Sequence, residues 1–199
     1  PPRSTLFPYT TLFRSIETTR LFVQHGYHGV SMREIAEVCG VTKAALYYHF
    51  ADKSDLLLAI LNRHLQDVAE IVSGCCAQQP ETTRQCIEAL VQGILALPIE
   101  QRALVRLASQ EMANLDSQKR QAFAEVYEDQ FIGRIAQIFE EGMRHGELRQ
   151  MDAHVVTWTL LGMLYPFFSP STRRSALEEE CMVAQMLDIF FNGVALHGD

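Results

Sequence analysis

The sequence lacks most of the features that would fix a fold from outside its own core. Its 199 residues contain five cysteines, an odd number, with none of the spaced CxxC pairs that a structural zinc site uses. A disulfide framework is not expected, and a reduced cytoplasmic protein is. No run approaches the roughly 18 consecutive apolar residues of a membrane span. The most apolar stretch, 158–168, is interrupted by Thr159, Gly162 and Pro166. No basic-then-apolar start reads as a secretory signal. Strand-like alternation with Asn-Gly or Asp-Gly turns is missing, as are nucleophile motifs and phosphate-cradling glycine loops. Glu140-Glu141 and Glu178-Glu179-Glu180 read as solvated faces rather than catalytic carboxylates. His25, His28 and His49 have no partners at ligand spacing. An enzyme is therefore not expected, nor a metal or a cofactor.

Positive charge is scarce as well. A net charge of −7 argues against a surface coated everywhere by nucleic acid. Its distribution is uneven. Residues 1–66 carry seven basic and five acidic side chains, whereas the rest carries ten and nineteen. A mildly basic end on an acidic body allows one localised anionic partner.

What the chain does have is helical periodicity. Apolar residues recur at helical spacing through Leu57, Ile60/Leu61, Leu65, Val68 and Val72, then Cys86, Leu90, Ile94 and Leu97. The pattern continues through Phe123, Tyr127, Phe131, Ile135, Ile138/Phe139 and Met143, and closes with Met182, Met186, Ile189/Phe190 and Val194. Breaks at Gly26–Gly29, Gly40, Pro80, Pro98, Asp116, Gly146 and Pro170 divide the chain into about nine helices. The expected class is all-α. Residues 1–15 stand apart: Thr-Leu-Phe recurs at positions 5 and 11, with Arg-Ser flanking at 3 and 14. They resemble a translated adapter or cloning remnant rather than folded protein sequence.

The informative pattern lies between residues 16 and 62. Ser31 and Glu34 have capping-box spacing, Gly40 offers a left-handed helix stop, and Thr42 can cap a second short helix. Asp52 caps a third, longer one. Two short helices joined by a glycine-containing turn form a helix-turn-helix, in which the first braces the second against the DNA major groove. Ile35, Ala36, Val38, Val41 and Leu46 suit the packing between them. Lys43 and Tyr47 share an outward face, and the small Ala44 and Ala45 let the helix lie close to base edges. Of the adjacent tyrosines, one is expected to pack inward and the other to present its hydroxyl to a phosphate.

Taken together, Leu21-Phe22, His25-Gly26-Tyr27, Ser31-Met32-Arg33-Glu34-Ile35-Ala36, the run from Cys39 to Phe50, Lys53 and Leu56-Leu57 resemble the DNA-binding domain of the TetR family of bacterial transcriptional regulators. The resemblance implies a homodimer on a palindromic double-stranded operator, with residues 63–199 forming a helical effector-binding and dimerisation domain. It implies that Arg33 contacts a base or phosphate and that Thr42, Lys43, Ala44 and Ala45 form the reading edge. Tyr47, His49 and Lys53 would hold phosphates, while Tyr48 leans toward the core. The usual basic arm ahead of the first helix is replaced here by the adapter-like residues.

In the body, Met112, Tyr127, Phe131 and Trp158 are candidates for an apolar effector pocket between helices. Val155, Thr159, Gly162, Met163, Met186, Phe190 and Val194 are candidates for a flat seam in a four-helix dimer interface. The reading is a ligand-responsive regulator, a repressor released by a small apolar effector, with no membrane partner. The alternative is a helical ligand-binding or interaction protein of the same fold that has lost DNA binding. Cys75-Cys76 reads as ordinary packing rather than a redox pair, since adjacent helical residues face different sides.

Overall fold

Local chemistry decides where the helices begin and stop. The computed structural model describes residues 17–77, 80–112, 115–168 and 175–194, and no strand occurs among them. The adapter-like residues 1–15 lie outside the described residues. Helix α1 (residues 17–25) is followed by α2 (Met32–Val38), which opens in a capping box. Ser31 Oγ accepts from the Glu34 N–H at 3.2 Å, and the Ser31 N–H donates to Glu34 Oε2 at 2.7 Å. The helix stops at Gly40, whose φ of +64° is strained for any residue with a Cβ. Helix α3 (Lys43–His49) is capped by Thr42, whose hydroxyl accepts from the Ala45 N–H at 3.1 Å. Asp52 accepts from the Asp55 N–H at 2.8 Å and opens α4 (Lys53–Ala77). These boundaries are the ones that the sequence predicts.

Helix α4 is about 37 Å long at the usual rise per residue, and it runs from the N-terminal unit into the body. There it meets α5 (Thr83–Leu95), α6 (Ile99–Glu111), α7 (Ser117–Tyr127), α8 (Gly133–Arg144), α9 (Ala153–Leu164) and α10 (Ala176–Val194). A π-helical turn, Glu128–Ile132, joins α7 and α8 into one rod, and a 3-10 turn, Tyr165–Phe168, extends α9. The described residues thus hold ten α-helices, or nine rods when α7 and α8 count as one.

The periodic residues of α4, α5 and α8 fill the core: Leu57, Leu61, Val68, Ile87, Leu90, Ile135 and Phe139 are all buried. Each such side chain removed from water stabilises by about 1.5–3 kcal/mol. Helices α5 and α8 approach closely at Gly142, where an added Cβ would lie 2.3 Å from Thr83 Oγ1. The last helix departs from expectation. Its core residues are Val183, Leu187, Phe190 and Phe191: of the expected spine Phe190 is among them, Met186 is half-buried, and Met182 and Ile189 are exposed. Apolar residues lie on two sides of α10, so periodicity alone could not say which side packs inward.

Candidate nucleic-acid interface

The brace and the reader are held by a small shared core. Met32, Ile35, Ala36 and Leu46 are buried between α2 and α3. Val38, expected among them, is exposed, and Val41 is half-buried. With Leu46 turned inward, Thr42, Lys43, Ala44, Ala45, Tyr47 and His49 are left on the exposed surface. Lys43 Nζ lies 5.7 Å from the centroid of the Tyr47 ring, a cation–π distance that draws the two polar tips together.

Two expectations need correction. Tyr48 does not lean toward the core: it is 85% exposed, against 44% for Tyr47, and its ring meets His49 edge-on at 5.2 Å. The reason is angular, since Tyr48 lies about 200° round the helix from the inward Leu46. Lys53 does not present its ammonium to a phosphate. Its Nζ donates to the Tyr27 carbonyl at 2.5 Å and to the Val30 carbonyl at 2.7 Å, and it sits 4.3 Å above the Tyr27 ring. Burial holds its pKa below the usual lysine value. This lysine clamps the turn before α2. Arg33 is exposed and paired with Glu37 one turn on, at 2.9 Å. Such a surface pair is weak, and a phosphate can displace the carboxylate.

Polar ties fasten this unit to the body. Arg20 of α1 meets Glu100 of α6 at 3.3 Å, and the Tyr27 N–H donates to Glu111 Oε1 at the other end of α6, at 3.1 Å. Lys119 of α7 reaches Asp55 at 2.6 Å, Ser54 Oγ at 2.6 Å and Asp52 at 3.2 Å. Hydrogen bonds from the Ser54 hydroxyl and the Asp55 N–H, with help from Lys119, bring the Asp52 carboxyl down to about 2. The sequence reading missed these four residues (Glu100, Glu111, Lys119 and Ser54). Their partners across these ties are 64–84 positions away, and no local pattern marks them.

In the body, Tyr127 and Phe131 line a small apolar cavity with Leu61, His64, Leu65, Val68, Leu104, Ala108 and Phe123. Two other pocket candidates do not join them. Met112 packs half-buried at the end of α6, and Trp158 is 52% exposed, its ring 6.4 Å from that of Tyr127. Of the seam candidates, Val155, Thr159 and Gly162 are exposed on one stripe of α9, with Met163 and Met186 half-buried. Phe190 is the correction: it is 4% exposed and packs against Phe139 and Phe191 inside its own chain. Nothing is described of the Val194 side chain. Among the described residues no His, Cys, Asp and Glu cluster could hold a metal, and no helix is long and apolar enough to cross a membrane.

A short brace helix, a glycine turn and a reading helix with its polar edge exposed, carried on a helical body, define a helix-turn-helix protein. The model of bacterial regulatory proteins of the tetR family matches residues 17–60, and that of the tetracyclin repressor-like C-terminal domain matches residues 80–194. The chain belongs to the TetR family. The transcriptional activator FasR of Mycolicibacterium smegmatis is 42% identical over 79 residues, 39% of this chain and 35% of that protein. The transcriptional repressor AcnR of Corynebacterium glutamicum is 39% identical over 54 residues, 27% of this chain and 29% of its own length. The chain therefore spans about a third of the length of these curated relatives. Among solved structures, the regulator PfmR of Thermus thermophilus superposes with a TM-score of 0.74 at 20% identity, covering 93% of this chain and 99% of that one. AibR, in complex with isovaleryl coenzyme A and operator DNA, gives 0.73 at 26% identity, covering 92% and 98%.

Proposed function

We propose that the chain is a transcriptional repressor that binds a palindromic operator as a homodimer and is released by a small apolar effector. The observation that carries this reading is the exposed edge Thr42–Lys43–Ala44–Ala45, set at the N-terminus of α3 where a recognition helix meets base edges. Tyr47 and His49 lie beside it to hold phosphates and set register. Two such units must sit about 34–36 Å apart to enter successive major grooves. Helix α4 carries each unit at one end and lines the body's cavity along its length, while α6 holds α1 and the turn before α2 through Glu100 and Glu111. An effector that parts α4 from α6 therefore shifts the reading heads. A 100-fold preference for the shifted state couples the two sites by about 2.7 kcal/mol.

The test is a salt titration of wild type and Lys43→Ala against a selected palindrome and a scrambled duplex. If Lys43 meets a base edge, its loss costs about 1–3 kcal/mol on the palindrome and relaxes one position per half-site. If it meets phosphate, binding falls on both duplexes and the salt slope drops by about one per contact. A wild-type chain with no preference for any palindrome favours the ligand-binding reading instead.

A further inference from the structure

Buried polar atoms without a partner cost free energy and need a reason. Among the described residues, three side-chain atoms are in this position: Asn62 Oδ1, Arg102 Nε and His64 Nε2. Asn62 is only half-buried, and Arg102 still holds Glu179 through Nη1 at 2.7 Å. His64 differs. It is 8% exposed, and it lines two cavities of about 20 Å³ each. One is the apolar cavity against Phe123, Tyr127 and Phe131, and the other is a more polar gap toward Thr19, Gln101 and Arg63, whose guanidinium is paired with Asp67 at 3.1 Å. His64 and Leu104 form the wall that the two share.

The first cavity has no ionised lining. Burial pushes the His64 imidazole down to about 4 and the Tyr127 phenol up to about 12, so both are neutral near pH 7. Its far wall is the rod in which α7 gives way to the π-helical turn, with Tyr127 and Phe131 on either side of the junction. Single π turns inside helices recur at functional sites. A space of about 20 Å³ holds little more than one water. An organic molecule must widen it, and the walls that must part are α4, α6 and this rod.

We propose that the cavity at His64 opens to take an uncharged, mostly hydrocarbon effector bearing one hydroxyl, which hydrogen-bonds with His64 Nε2. The hydroxyl is the matching group because it both donates and accepts, and so satisfies either neutral tautomer of the imidazole. A carboxylate is excluded, since no cation faces the cavity to offset its desolvation. This proposal rests on reading the body as an effector domain.

Trp158 is the chain's one tryptophan and lies beside Tyr127, so its emission reports on the cavity wall. The full-length chain is titrated with para-butylphenol, butylbenzene and para-butylbenzoate, following Trp158 emission and melting temperature. The phenol is expected to bind roughly tenfold tighter than butylbenzene, about the worth of one hydrogen bond to a buried acceptor. The benzoate should bind at least about tenfold more weakly than the phenol. His64→Leu should abolish the phenol's advantage while butylbenzene still binds, and His64→Gln should restore part of it.

The site is overturned if wild type binds phenol and butylbenzene equally, which would mean that water alone satisfies Nε2. It is equally overturned if the advantage survives in His64→Leu, or if the benzoate binds as well as the phenol. A chain that prefers its palindrome but answers none of the three probes also overturns the site, and leaves the regulator reading standing. Discrimination through His64 in a chain with no duplex preference supports the site and removes the regulator reading alone.

Discussion

Lys43 and Lys53 stand on consecutive helices and do opposite work. Lys43 is exposed beside Tyr47, whereas Lys53 spends two of its three N–H donors on the Tyr27 and Val30 carbonyls. Lys53→Met should therefore destabilise the N-terminal unit by about 1.5–3 kcal/mol, the usual worth of hydrogen bonds from a charged group. The salt slope of DNA binding by the molecules that remain folded should stay that of wild type. Thermal melts combined with a salt titration check this, and a reduced slope would return Lys53 to the phosphate contacts. His64 offers a second test at this scale. Its folded pKa of about 4 lies below the unfolded 6.5, so the unfolded chain takes up the proton first as pH falls. Stability from this group is complete above 6.5 and is lost progressively toward 4, by at most about 3 kcal/mol. Melting temperatures across that window should fall more steeply in wild type than in His64→Leu.

Helix boundaries were readable because they depend on neighbours three or four residues apart. Ser31, Gly40, Thr42 and Asp52 each act within their own turn, and each behaves as its residue type dictates. The orientation of a two-sided apolar helix was not readable. In α10 both Leu187–Phe190 and Met186–Ile189 have apolar spacing, and only the packing of Phe190 against Phe139 separates core from surface. The same limit hid the inward and outward choice at Tyr47 and Tyr48, in a helix with only one buried residue. Long-range ties such as Lys119 to Asp55 depend on how α7 crosses α4, which no local pattern encodes. Where two helices approach closely, the structure makes a definite demand. Gly142→Ala places a Cβ 2.3 Å from Thr83 Oγ1 and 3.0 Å from Thr83 Cβ, so α5 and α8 must separate. The expected cost is about 1–3 kcal/mol. The same substitution in a Thr83→Ala background should cost less. A double-mutant cycle of melting temperatures with no coupling would show that the two helices yield without strain.

For the whole molecule, the last two helices present a second apolar side at the surface. A helix that is apolar all round is a buried helix. Helix α9 buries Val156, Leu160, Leu161 and Leu164, yet it leaves Val155, Trp158, Thr159 and Gly162 outward; α10 buries Val183, Leu187 and Phe191, yet leaves Met182 and Ile189 outward. The α9 set keeps three-to-four-residue spacing and the α10 pair lies seven residues, two turns, apart, while Gly162 has no atom within 4 Å of a built Cβ, so it offers room for close approach. A second copy of the chain, pairing α9 and α10 across a two-fold axis, would cover both stripes at once and supply the second reading head. Two neighbouring substitutions separate this interface from the core. Ile189 is 67% exposed within one chain, so Ile189→Asp should leave the protomer folded. In a dimer it buries an unpaired carboxylate, which costs several kcal/mol and should give folded monomers in sedimentation. Phe190→Asp puts the same charge between Phe139 and Phe191 and should unfold the body itself, with a lost melting transition. An Ile189→Asp chain that still sediments as a dimer would rule out this seam.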